Sequence, residues 1–331
     1  MRKRTLTTLL GAALAIVAAA PAQARLVYVK GAATLNPTVY VADDDGGNPH
    51  VLGPGHSPTI SENGRWVAWV KPASPDRVVI RRADRRFGAR RVGAAAQIGE
   101  LRFSPNSRLL ASVRGRNLYV HAIRSRKETR AARGHIRGFA FSPDSRTLVY
   151  GRANRSDFGA PADLYTAKAD GDGRRRITRD RRSLNPLWSP EGIVHDRQRW
   201  RAGDAPAYNL FEVQPDGGDF RRITRLRIPS LVSGLVPLEA NPSGSRLLAN
   251  FVGQDTTVGF RVNPRSGSVK SLDSDFENGF VAADLSDDGT TVVGHTGGPD
   301  PFRRHNVVTM PYRGGEQTVL VRRAMSPDWS R

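Results

Sequence analysis

Phe141-Ser142-Pro143-Asp144-Ser145 carries the phrase that decides the fold. Related copies read Ser61-Glu62-Asn63-Gly64, Ser104-Pro105-Asn106-Ser107, Ser189-Pro190-Glu191-Gly192, Asn241-Pro242-Ser243-Gly244, Ser286-Asp287-Asp288-Gly289 and Ser326-Pro327-Asp328-Trp329. Their first residues, Ser142 included, lie 43, 38, 47, 52, 45 and 40 positions apart. Asp, Asn, Pro and Gly suit a tight turn, because each tolerates or pre-sets its dihedrals. Apolar runs flank each copy, as in Phe139-Ala140-Phe141 before and Thr147-Leu148-Val149-Tyr150 after. β-branched and aromatic residues dominate these runs, which therefore read as strands. A strand-rich period in the forties predicts a β-propeller with one four-stranded blade per repeat.

The ends of the chain set the blade count. Leu26-Val27-Tyr28-Val29, Val39-Tyr40-Val41 and His50-Val51-Leu52 match strands two, three and four of a blade without its first strand. Ala324-Met325-Ser326-Pro327-Asp328 matches a first strand without the rest. Joined, they complete one composite blade, and the ring closes at seven, leaving no exposed sheet edge. Irregular packing of the N-terminal pieces would make it six. Two blades are near copies at an offset of 46: Leu164-Tyr165 to Arg175-Arg176-Ile177-Thr178-Arg179, and Leu210-Phe211 to Arg221-Arg222-Ile223-Thr224-Arg225.

Before the repeats stands an export leader. Met1-Arg2-Lys3-Arg4 is basic, residues 9–20 are small and apolar, and Ala22-Gln23-Ala24 is a small-x-small cleavage site. The apolar run is short for a membrane span. The expected organisation is a signal peptide over 1–24 and a single propeller domain over 25–331, extracellular, periplasmic or wall-associated, with no transmembrane segment in the mature chain. The sequence has no cysteine, which excludes disulfides and thiolate metal sites. A chain this long buries roughly three quarters of its unfolded surface and needs no such staples.

The formal charge is +20, almost all from arginine. In an exported protein this points to an anionic partner, a cell-wall polymer, anionic lipid or acidic protein, and not to nucleic acid. The alternative is arginine used as a general surface residue, since the basic positions are spread through every repeat.

The repeats, with Phe141-Ser142-Pro143-Asp144, Trp188-Ser189-Pro190-Glu191-Gly192 and Arg222-Ile223-Thr224, resemble the WD40-like repeats of the TolB-type propellers. The resemblance spans almost the whole mature chain. It implies an exported propeller of the interaction type that binds envelope proteins. TolB carries a separate N-terminal domain; here the first strand follows the cleavage site directly, so a propeller without that domain is expected. Similar propellers precede hydrolase domains in some oligopeptidases, and no such domain is expected after the last strand.

The chain has no Gly-x-Ser-x-Gly nucleophile elbow and no His-Glu-x-x-His zinc helix. Asp43-Asp44-Asp45-Gly46 and Asp170-Gly171-Asp172-Gly173 lack the spacing and closing glutamate of a helical calcium loop and read as hairpin turns. No cofactor is expected. Three long loops join strands two and three, over residues 152–163, 197–208 and 296–306, where a rigid scaffold carries function. They hold Arg155, Asp157, Phe158, Arg199, Trp200, Arg201, Asp204, Phe302, Arg303 and Arg304, rich in the residue types of binding hot spots. The expected function is a non-catalytic binding or scaffold module using this face for an envelope protein or anionic cell-wall polymer. The alternative is a metal-assisted polysaccharide lyase or hydrolase whose central pocket gathers His56, His135 and His305 around a divalent ion.

Overall fold

A computed structural model describes residues 24–157, 159–201, 203–204, 206–253, 255–273 and 279–330. The expected leader therefore lies outside the described residues, apart from Ala24. The described chain is all strand and turn, folded into seven four-stranded antiparallel blades. The innermost strands of blades 2 to 7 are His56–Ile60, Ile98–Phe103, His135–Phe141, Ser183–Ser189, Val232–Ala240 and Val281–Leu285. Blade 1 is composite: Ala324–Trp329 pairs antiparallel with Arg25–Lys30, which leads out to Thr38–Asp43 and His50–Pro54. The count is seven, and the six-blade alternative falls away because both ends of the chain pair in one sheet.

Alternation along the strands explains the closure. Val27 and Val29 face blade 2 and pack with Ile60, Val67 and Trp69. Leu26 and Tyr28, on the other face of the same strand, pack with Val293 and Val307 of blade 7. Every second residue thus serves a different neighbour, and both faces are dry. That is why these strands read as continuous apolar runs.

The repeated phrase is a hydrogen-bonded turn. Ser142 Oγ donates to Asp144 Oδ1 at 2.5 Å and accepts from Thr147 N at 2.9 Å, while Asp144 Oδ1 also accepts from Arg146 N at 3.0 Å. Ser61, Ser104 and Ser286 repeat the arrangement with Asn63, Asn106 and Asp288. The Ser142 hydroxyl and the Arg146 amide hold the Asp144 carboxyl below its usual range. The fourth position needs a left-handed backbone, with φ of 63° at Gly64 and 62° at Ser145. Serine is kept there in blade 4 because its hydroxyl accepts from Asn106 N of blade 3 at 3.0 Å.

The Arg-Arg-Ile-Thr copies have an equally local cause. Thr178 Oγ1 accepts from Leu164 N and Thr224 Oγ1 from Leu210 N, both at 2.9 Å and both buried. Arg176 and Arg222 each donate Nε to the carbonyl of the threonine two residues on, at 2.9 and 2.7 Å. Each copy satisfies an amide that a two-residue outer strand leaves unpaired.

Candidate functional site

Antiparallel connection fixes two faces. Innermost strands run toward the Ser-Pro-Asp turns, so those turns lie on one face with the turns between strands three and four. The loops between strands two and three, and the connections between blades, lie on the opposite face.

On the turn face the axis opens as a funnel of about 670 Å³ lined by all seven blades. Its walls follow two columns of the repeat. Two places before each phrase stand Thr59, Arg102, Ala140, Leu187, Glu239 and Asp284; at its second place stand Glu62, Pro105, Pro143, Pro190, Pro242 and Asp287. In blade 1 the strand continues through its phrase, so Pro327, Asp328 and Trp329 take these places. The result is a two-sided mouth. Blades 7, 1 and 2 bring Asp284, Asp287, Asp328 and Glu62; blades 4 and 5 bring Phe141, Pro143, Leu187, Trp188 and Pro190. With Glu100 and Glu239 the lining carries six carboxylates against one guanidinium, in a chain of net charge +20.

That guanidinium, Arg102, donates Nη2 to Glu100 Oε1 at 2.9 Å and is about one-third exposed. Burial opposes its charge, yet Glu100, Glu239 and Asp328 outweigh burial and raise its pKa. Asp328 also closes the ring: its Oδ2 accepts from Thr59 Oγ1 at 2.8 Å and Ile60 N at 2.9 Å.

The long-loop residues sit on the other face. Loops of blades 4 and 5 meet, with the Trp200 ring and Pro206 lying over Gly159. The third loop belongs to blade 7, separated from blade 5 by blade 6. Arg155 pairs with Asp157 at 2.7 Å, both well exposed, and Arg137 donates to the Asp157 carbonyl at 2.6 Å. Arg201 is structural: it donates to the carbonyls of Pro229 at 2.7 Å and Val232 at 2.8 Å and pairs with Asp204 at 3.3 Å. Asp204 in turn accepts from Leu231 N at 3.0 Å. Arg303 lies 4.0 Å from Asp300, and Arg199, Arg304 and Phe302 are exposed. Phe158 lies outside the described residues.

The histidines do not converge. His56, His135 and His305 belong to blades 2, 4 and 7, and the described residues contain no group of three or more His, Cys, Asp or Glu side chains placed to hold a metal ion. His305 lies buried with Nδ1 2.8 Å from the Thr296 carbonyl and Nε2 2.7 Å from the Asp300 carbonyl. His56 Nδ1 sits 3.0 Å from Ser57 Oγ. The funnel, moreover, opens on the face opposite their rim.

One buried acid went unnoticed in sequence. Asp196, in the second strand of blade 5, is fully buried; Oδ2 accepts from Asn185 Nδ2 at 3.1 Å and Oδ1 has no hydrogen-bond partner among the described residues. Burial raises its pKa well above the carboxylate range, against the Asn185 bond. A carboxyl with a raised folded-state pKa gives its full stability below the unfolded pKa and loses it as pH rises through the folded value. Asp196→Asn should therefore be more stable than the parent at neutral pH, by about 1–3 kcal/mol. Melting curves at about pH 4 and about pH 8 check the sign: the lead should grow with pH, and a constant lead would show that Asp196 does not titrate with folding.

No protein-family model and no curated protein matches the chain. Solved structures do. The β-propeller domain of the trilobed protease from Pyrococcus furiosus aligns with a TM-score of 0.65 at 13% identity, over 90% of this chain and 94% of that one. An oligogalacturonate lyase from Vibrio parahaemolyticus aligns at 0.60 and 13%, over 92% and 87%. A putative TolB from Agrobacterium tumefaciens aligns at 0.53 and 20%, over 70% and 83%. Identities this low establish architecture and leave function to the site itself. Among the described residues no helix is long and apolar enough to cross a membrane. The architecture, read from the repeated turn and carried by seven blades closed through both ends of the chain, is that of a β-propeller, the fold shared with these solved structures.

Proposed function

We propose that this chain is an exported, non-catalytic binding module that holds a cationic segment of an envelope protein in its axial funnel. The observation that carries the reading is the lining: six carboxylates to one arginine, with an apolar half built from Trp188, Phe141 and prolines. In a protein this basic, acidic side chains gathered at one concave mouth select for positive charge, while the aromatic half supplies contact area. The basic leader and small-residue cleavage site of residues 1–24 support export. Of the long-loop arginines that the sequence offered for an anionic partner, Arg201 is bonded to backbone carbonyls and Arg155 is paired with Asp157.

The test is fluorescence anisotropy with a labelled peptide of alternating lysine and leucine. Glu100→Gln with Glu239→Gln should weaken binding roughly tenfold, since each partly exposed charge contributes up to about 1 kcal/mol. Arg199→Gln with Arg304→Gln should leave it unchanged. Equal weakening by both pairs would sink the funnel reading.

A further inference from the structure

We propose that the long-loop face docks on the surface of an anionic phospholipid bilayer, its apolar loop tips entering the headgroup layer and its arginines meeting lipid phosphates. This is independent of the funnel reading and concerns the opposite end of the ring.

The placement of exposed apolar side chains carries it. Among the described residues, four large hydrophobics are more than 60% exposed, and three of them, Leu35 at 98%, Phe302 at 81% and Leu231 at 68%, stand on this face, while Phe87 at 67% stands alone on the turn face. Leu35 lies between the second and third strands of blade 1, Phe302 between those of blade 7, and Leu231 in the connection from blade 5 to blade 6. Trp200, 44% exposed, occupies the equivalent loop of blade 5. By the antiparallel logic above, Leu35, Phe302, Leu231 and Trp200 all project from one face.

Leu231 adds a second observation. It holds φ at 67°, a left-handed backbone that a leucine occupies at a cost in stability. Asp204 fixes it there by accepting its amide proton. A large apolar side chain held strained and in solvent points to a use outside the fold.

The charge on this face matches the same surface. Exposed arginines stand on its loops from blade 3 to blade 7, among them Arg116, Arg133, Arg181, Arg199, Arg227 and Arg304. Apolar tips on separate loops, set among arginines, suit a headgroup layer, which accepts an apolar side chain and a cation at any point. A soluble polyanion would use the arginines and gain nothing from the tips. The acid-lined funnel at the other end would be repelled from an anionic surface and so would face away from it.

The experiment is co-sedimentation with vesicles of phosphatidylcholine containing about one-third phosphatidylglycerol, against vesicles of phosphatidylcholine alone. The anionic vesicles should bind the protein and the neutral ones should not. Arg199→Gln, Arg227→Gln and Arg304→Gln should each weaken binding about fivefold. Leu231→Gly with Phe302→Ser should weaken it roughly tenfold while the protein melts at or above the parent temperature, because glycine relieves the strain. Arg174→Gln with Arg313→Gln, on the turn face, should change nothing, as should the funnel pair Glu100→Gln and Glu239→Gln. Failure to bind anionic vesicles would overturn the proposal. So would full vesicle binding by the Leu231→Gly, Phe302→Ser variant, or polyphosphate binding as tight as vesicle binding, since either would reduce the face to charge alone.

Discussion

Removing residues 323–331 should open the ring. The strand Ala324–Trp329 pairs with Arg25–Lys30 on one side and faces the channel on the other. Its loss uncovers an edge whose residues Leu26, Val27 and Tyr28 are fully buried in the intact protein. It also removes the Asp328 bonds to Thr59 and Ile60 and the bond from Arg25 N to Ser330 Oγ at 2.9 Å. An unpaired apolar edge is a template for pairing with another chain. The truncated protein should lose several kcal/mol, well beyond the effect of a surface substitution, or aggregate outright. Urea unfolding followed by light scattering measures both, and an unchanged midpoint would show that the ring closes without this strand.

Trp69→Ala should be the most damaging single core substitution, at about 3–5 kcal/mol. Trp69 is 1% exposed and fills the seam between blades 1 and 2 with Val27, Val39 and Leu52. Its Nε1 donates to the Pro54 carbonyl at 3.0 Å, so truncation leaves both a cavity and an unpaired acceptor. The connecting chain is shaped around the ring: a Cβ at Gly55 would fall 2.3 Å from Trp69 Cδ1. Trp69→Phe should cost less, since it keeps most of the volume and loses only the donor. A loss below about 1 kcal/mol for the alanine variant, read from chemical denaturation, would mean that the seam closes around the gap.

The fold was legible because its causes are local and repeated. Ser142 needs a hydrogen-bonding residue two places on and an amide five places on, and the same need recurs in other blades. The composite blade was legible from which strands were missing at each end. The funnel was not read, although its residues stood in the quoted phrases: Glu62 and Asp287 replace proline at the second place, and Glu239 and Asp284 precede the phrase by two. Stacking the copies in register and comparing those two columns would have shown acid gathering in blades 6, 7 and 2, with Asp328 of blade 1 one place further along its phrase. The role of Arg201 was out of reach, because its carbonyl partners at residues 228–232 come from a connection with no sequence mark. Export, by contrast, rests on residues that the described structure does not include.

The central claim is that the acid-lined funnel, and not the loop face, holds the cationic partner segment. Photo-crosslinking with a lysine-rich peptide, followed by mass spectrometry of the adducts, tests it most directly. The account predicts adducts at funnel residues such as Trp188, Trp329 and Phe103, suppressed by Glu100→Gln with Glu239→Gln. Adducts at Trp200, Phe302 or elsewhere on the long-loop face, unaffected by that pair of substitutions, would contradict it.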